Sequence, residues 1–244
     1  MRIKGIVSYK GNNYHGWQKQ VGDNSIEEEI EKVLSKVLDE PINIYASGRT
    51  DAGVHAYGQV FHFDTHKESV DLSRLTYSLN MMLNEDIKII SLEKVDDNFH
   101  ARYSAKAKIY EYKILLRSKD PFNYETHYLC PYPIDIYLLK ESLKKFIGVH
   151  DFRNLSSKEE DEDDFVREIY SIDINHNNDE INIIFKGNGF MRYMIRFIVG
   201  VSLAISQNKE DISYIDMILN EDNPRNITSY KAPAEGLYLV EVEY

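Results

Sequence analysis

The sequence predicts an α+β protein of two successive halves, each running β-α-β-β-α-β. Two observations carry that prediction. Capped amphipathic helices alternate with period-2 apolar runs through residues 3–95, and the same order returns in residues 104–244. No residue-level repeat links the two, so the duplication is one of topology. The boundary is placed near residue 102, where a basic strand begins, giving halves of 1–102 and 103–244.

In the first half IKGIVSY (3–9) is β-branched and aromatic, as a strand requires. After the polar turn KGNNYHGWQKQ comes a helix: Ser25 and Glu28 form a capping box, and Ile26, Ile30, Val33, Leu34, Val37 and Leu38 share one face, with Pro41 beyond its end. INIYA (42–46) and QVFHFD (59–64) alternate as strands around the loop GRTDAG. Asp71 caps a second helix bearing Leu72, Leu75, Leu79, Met82 and Leu83, and IKIISLEKV closes the half as a strand.

The second half opens with a long strand, 104–116, and a Pro- and Tyr-rich connection. A helix follows with Ile136, Leu139, Leu143, Phe146 and Ile147 on one face. FVREIYSIDI and EINIIF flank the hairpin turn NHNND, then helices over 190–206 and near 212–219 lead to the terminal strand GLYLVEVEY. Each half is thus a ferredoxin-like split unit, the two lying side by side.

With 244 residues, 43% of them hydrophobic, the chain can bury a sizeable core. Cys130 is the only cysteine, which excludes a disulfide framework and a cysteine-rich zinc site and points to a cytoplasmic protein. MRIKGIVSYK lacks the apolar core of a signal peptide, and Arg192 and Arg196 interrupt the most apolar run, FMRYMIRFIVGVSLAI, so no membrane span is expected.

A net charge of −11 argues against a nucleic-acid partner until its distribution is read. Six acids cluster in EEDEDD (159–164), a composition of solvated loops. Residues 100–119 instead hold Arg102, Lys106, Lys108, Lys113, Arg117 and Lys119 against Glu111 alone, and KGNGFMRYMIR (186–196) carries three cations and no acid. The segments read either as a basic groove on an acidic body or, for the first, as a solvated strand face.

The loop in YASGRTDAGVHAYGQVFHF (45–63) concentrates chemistry: Arg49, Asp51 and His55. By itself it is a turn in which Gly48 and Gly53 provide the geometry and Asp51 bonds nearby backbone. Its functional reading makes Arg49 a donor that keeps Asp51 ionised, as a nucleophile or base must be. Tyr110 and Tyr112 share a strand face with Lys106 and Lys108, a pairing suited either to packing or to an unstacked base with its phosphates. Arg192 and Arg196 share a helix face within an apolar helix, where an arginine needs an anion: a structural acid, Asp51 or RNA. Tyr14 and Trp17 suit base stacking or buried anchoring. His62 and His66 fall on and just after a strand, a poor spacing for a metal. No phosphate-binding P-loop, dinucleotide fingerprint or HExxH motif is present, so neither cofactor nor metal is expected.

Four ordered motifs, ASGRTDAGVHAYGQV, FHARYSAKAKIYEY, GNGFMRYMIRFIVG and KAPAEGLYLVEVEY, resemble those of the tRNA pseudouridine synthase A (TruA) family, from about Tyr9 to Tyr244. The resemblance implies the pseudouridine synthase fold, a homodimer, and cofactor-free isomerisation of uridines on the 3′ side of the tRNA anticodon stem-loop. It implies Asp51 as the catalytic aspartate, Tyr110 as the residue stacking on the target uracil, Arg196 as the partner of the aspartate, and Arg49 and Arg102 as basic positions near RNA. His55, Lys106, Lys108 and Arg192 are further candidates for RNA contact. The chain departs from the usual family residues at Asn84 (proline), Phe197 (asparagine), and Arg192 and Tyr193 (a histidine pair). Three alternatives stay open: a family paralogue acting on another RNA, a hydrolase pairing Asp51 with a second acid, and a non-catalytic RNA-binding protein.

Overall fold

The computed structural model describes residues 1–117, 119–157 and 164–244, so all of the acidic run except Asp164 lies outside the described residues. The chain forms two compact units, Met1–Lys106 with Tyr238–Tyr244, and Ala107–Leu237. The architecture is mixed α and β, as expected from the sequence.

The first unit runs β1 (Arg2–Tyr9), α1 (Ile26–Leu38), β2 (Tyr45–Ala46), β3 (His55–Asp64), α2 (Leu72–Met82) and β4 (Ile87–Val95). Its sheet has the order β4-β1-β3, and the last strand of the chain, β10 (Leu237–Glu243), extends it beyond β3. β1 lies antiparallel to both β3 and β4. The other edge of β3 is divided: β2 pairs antiparallel at its far end, Tyr45 with His62, while β10 pairs in parallel at its beginning, Tyr238 with His55. The loop that joins β2 to β3 therefore emerges where three strands converge.

Ser25 caps α1, its Oγ accepting from the Glu28 N–H at 3.3 Å, and Asp71 caps α2 in the same way through Arg74 N–H at 3.0 Å. Ile26, Ile30, Leu34 and Leu79 are fully buried among Ile3, Val7, Phe61 and Phe63 of the strands. INIYA forms a ladder only at Tyr45 and Ala46. Upstream, the N–H groups of Ile42 and Ile44 donate instead to Ser35 Oγ and a Glu31 carboxylate oxygen on α1. Those two isoleucines are buried against a helix that supplies the acceptors a neighbouring strand would otherwise give.

The second unit runs β5 (Ala107–Leu115), β6 (Tyr128–Leu129), α3 (Ile136–Lys144), β7 (Gly148–Asp151), β8 (Val166–His176), β9 (Glu180–Gly187), α4 (Met194–Ser206) and α5 (Ser213–Leu219). Its sheet order is β5-β9-β8-β7, antiparallel throughout, with β6 added in parallel to β5. The pair β6 and β7 is additional to the order expected from the sequence. α4 packs on α3 and buries nearly all of its residues, as a helix apolar on every side must. A Cβ at Gly200 would lie 2.5 Å from the Tyr230 carbonyl oxygen, so only glycine lets the 230–232 segment approach α4.

Candidate active site

The GRTDAG loop is fixed from three sides, all within the first unit. At its start, Ser47 Oγ donates to Gln59 Oε1 at 2.7 Å, and Gln59 Nε2 donates to the Gly48 carbonyl at 2.9 Å. At its centre, Thr50 shares a 2.8 Å side-chain hydrogen bond with the buried Tyr9 hydroxyl, while its carbonyl accepts from Trp17 N–H at 3.0 Å. At its end, Val54 N–H donates to the Asp51 carbonyl at 3.1 Å, closing the turn in which Gly53 takes φ +79°. Asp51 is half-buried within this frame and Arg49 is exposed, making no ion pair with a described residue.

The frame has its own support. Trp17 is 1% exposed and its ring lies 5.9 Å from that of Tyr9, which settles its role as buried anchoring. Gly16 takes φ +94°, and a Cβ there would stand 2.6 Å from the Thr50 carbonyl oxygen. The strap 16–19 is in turn held to α1: Ile26 and Glu27 N–H donate to the carbonyls of Gly16 and Trp17. A Glu27 carboxylate oxygen accepts from Gln18 Nε2 at 2.7 Å and Lys19 N–H at 2.8 Å. Burial pushes the Glu27 carboxyl up, opposed by the Lys19 N–H, and burial likewise raises the Tyr9 phenol. Tyr14 is anchored too, donating to Asp86 at 2.6 Å and accepting from Asn84 at 3.3 Å, with its phenol pushed up to about 12 by burial and by Asp86.

His55 does not face solvent as a nucleic-acid contact would. Its ring is 1% exposed, its Nδ1 accepts from Gly11 N–H at 3.1 Å, and it stacks on Tyr238 at 4.6 Å, so it anchors the loop exit instead. Arg102 is exposed, its guanidinium 5.8 Å from the Tyr103 ring, and Lys106 is exposed with its N–H bonded to the Glu243 carbonyl. His62 is buried, its Nδ1 accepting from Ala101 N–H, with its ring stacked on Tyr45. Burial first, then the nearby His100 and Arg2, hold it down to about 4.

The second unit holds Tyr110, Lys108, Arg192 and Arg196. Tyr110 is 8% exposed and meets Phe190 edge-on at 5.3 Å. Tyr112 is fully buried and donates to the Pro233 carbonyl at 2.8 Å, a packing role. Arg196 projects from the first turn of α4, and its Nε donates to the Ala232 carbonyl at 2.8 Å while Ala232 N–H donates back to the Arg196 carbonyl at 2.9 Å. Arg192, Tyr193 and Phe197, three positions at which the chain departs from the usual family residues, lie together: the rings of Tyr193 and Phe197 are perpendicular at 6.2 Å, and Arg192 donates to the Tyr193 hydroxyl at 3.0 Å.

Tyr9, Glu27 and Gln59 support the loop through contacts remote in sequence, which no local pattern signals. Lys231 lies inside the KAPAEG motif and is exposed. Among the described residues no group of three or more His, Cys, Asp or Glu is arranged to hold a metal ion.

These features can be set beside known proteins. The family model described as tRNA pseudouridine synthase matches residues 6–104 and 143–244. The chain belongs to this family, a class of RNA-uridine isomerases. More particularly, it is 42% identical to tRNA pseudouridine synthase A 1 of Bacillus cereus (strain ATCC 14579), covering 100% of this chain and 98% of that one. It is 42% identical to tRNA pseudouridine synthase A of Geobacillus sp. (strain WCH70), with the same coverage, and 39% identical to that of Lactococcus lactis subsp. cremoris (strain SK11), covering 100% and 97%. The crystal structure of the archaeal box H/ACA sRNP Nop10-Cbf5 complex contains a chain that aligns at a TM-score of 0.38 and 12% identity, over 83% of this chain and 44% of that one, too distant to carry any argument.

Proposed function

We propose that this protein converts uridine to pseudouridine in the anticodon arm of tRNA, in the cytoplasm, as a homodimer and without a cofactor. The observation that carries the reading is the Asp51 loop: a half-buried carboxylate on a turn whose neighbours Ser47, Gly48, Thr50 and Val54 are all hydrogen-bonded into place. Such a frame suits a single group that must meet one atom of a bound nucleotide in one orientation.

The chemistry needs little else. The N1–C1′ bond breaks, the uracil turns, a C5–C1′ bond forms, the C5 proton leaves and N1 gains one, so neither redox equivalents nor nucleotide energy are consumed. Asp51 serves as the catalytic carboxylate, and Arg196 supplies the cation that favours its ionised form. The target base leaves its stack to be reached, at a cost of a few kcal/mol, and Tyr110 offsets part of this by stacking on the uracil. Arg49, Arg102, Lys106, Lys108 and Arg192 contribute charge toward the RNA.

Incubation with tRNA carrying C5-tritiated uridine, with nothing else added, is expected to release tritium to water and leave RNA of unchanged mass. Strand breakage or free uracil would favour a hydrolase. Binding without tritium release from any uridine-containing tRNA would favour a non-catalytic RNA-binding protein.

A further inference from the structure

We infer that Arg192, Tyr193 and Lys231 form a phosphate-binding subsite next to Arg196, and that its ligand is a backbone phosphodiester of the RNA. The inference rests on the proposed RNA substrate and adds a site to it.

The local chain geometry is unusual. Tyr193 sits at φ 65° and ψ 0°, the left-handed region, which a bulky aromatic residue rarely adopts. That kink sits in the turn closed by Met194 N–H on the Met191 carbonyl at 3.1 Å and lets α4 begin at Met194, so Arg192 precedes the kink and Arg196 follows within the first turn. Lys231 comes from elsewhere in the same unit, next to Ala232, whose two hydrogen bonds to Arg196 fix the segment.

Three cations consequently surround one ring. The Arg192 Cζ lies 4.9 Å, the Arg196 Cζ 5.1 Å and the Lys231 Nζ 4.5 Å from the Tyr193 centroid. A ring has two faces, so at least two of the three share one. The ring's negative faces attract each cation while the cations repel one another, which leaves a concentrated positive field. Phe197, edge-on to Tyr193, and the Arg192 bond to its hydroxyl hold the ring in place. Arg192 and Lys231 are exposed, and Lys231 has no ion pair with a described residue, so the field opens to solvent.

A phosphodiester fits this arrangement. The guanidinium fork of Arg192 matches two phosphate oxygens and the Lys231 ammonium adds a compact charge. On a chain of net charge −11, a polyanion is gripped only where cations are gathered in this way.

The test is the salt dependence of tRNA binding by the full protein, with Arg192→Ala, Lys231→Ala, Tyr193→Phe and Tyr193→Leu. Each alanine variant should weaken binding about 5- to 10-fold near 0.1 M salt and lower the slope of log K against log salt by roughly 0.7–0.9, the signature of one lost phosphate contact. The loss should appear in KM more than in kcat. Tyr193→Leu should reproduce it by releasing the cations, and Tyr193→Phe should restore most of the affinity. Slopes equal to that of the unaltered protein in both alanine variants would overturn the subsite, as would failure of the unaltered protein to bind tRNA. Binding slopes require no catalysis, so absence of tritium release would sink the isomerase reading while leaving the subsite standing.

Discussion

The Asp51 loop and the Tyr193 corner hold functional side chains in opposite ways. The loop is fixed by neutral hydrogen bonds to buried partners, Tyr9, Trp17 and Gln59, and has no ion pair at Arg49 with a described residue. The corner is fixed by cations gathered on an aromatic ring at the surface. Neutral buried bonds resist salt and define position to a fraction of an ångström, as chemistry at one atom requires. Clustered charge is screened by salt and tolerant in position, as a grip on a repeating backbone requires. Raising salt should therefore raise KM through the corner and leave the saturated rate set by the loop.

The largest structural break in the loop is expected from Gly16→Ala. The new Cβ meets the Thr50 carbonyl oxygen and forces a positive φ on alanine. We expect a loss of about 2–3 kcal/mol in urea unfolding and roughly a hundredfold fall in the saturated rate.

Glu27 tests the frame one layer out. Glu27→Ala strands Gln18 Nε2 and Lys19 N–H and should cost about 1–3 kcal/mol, whereas Glu27→Gln keeps an acceptor and should recover most of it. Equal losses in the two variants would show that the carboxylate's charge, rather than its acceptor, holds the strap.

His62 gives the first unit a pH limit. Its folded pKa, about 4, lies below the ordinary 6.5, so the fold favours the neutral ring. This contribution is fully present well above pH 6.5 and is lost as pH falls from 6.5 toward 4, by about 3 kcal/mol. A His62→Gln variant should show a correspondingly flatter stability profile across that window. The smallest effect is Tyr9→Phe, which removes the hydroxyl bonded to Thr50 and should cost about 1 kcal/mol with a modest fall in rate.

Local signals in the sequence read well where one segment decides its own structure. The caps at Ser25 and Asp71, the hairpin at 177–179 and the strand Ile87–Val95 all follow from neighbours a few residues apart. Elsewhere a remote partner decides the local structure. Ile42 and Ile44 alternate like a strand, yet α1 side chains take their N–H groups. The helix read from residue 190 starts at Met194 because Tyr193 is left-handed, a choice no propensity favours. The terminal strand pairs with β3 of the first unit, a register set by contacts nearly the whole chain apart.

The site divides along the same line. Asp51 was legible because glycine-flanked GRTDAG is a local pattern. Its supports at Tyr9, Gln59 and Glu27 were not, since each reaches the loop through folding. The loop position of His55 suggests exposure, while the Gly11 N–H and the Tyr238 ring draw it inside.

The most direct measurement of the central claim compares the unaltered protein with Asp51→Asn in single-turnover tritium release from C5-tritiated tRNA, at matched tRNA occupancy. A catalytic carboxylate predicts a rate lower by about 10³-fold or more with tRNA affinity retained. Retention of a tenth of the rate or more, at equal occupancy, would contradict it.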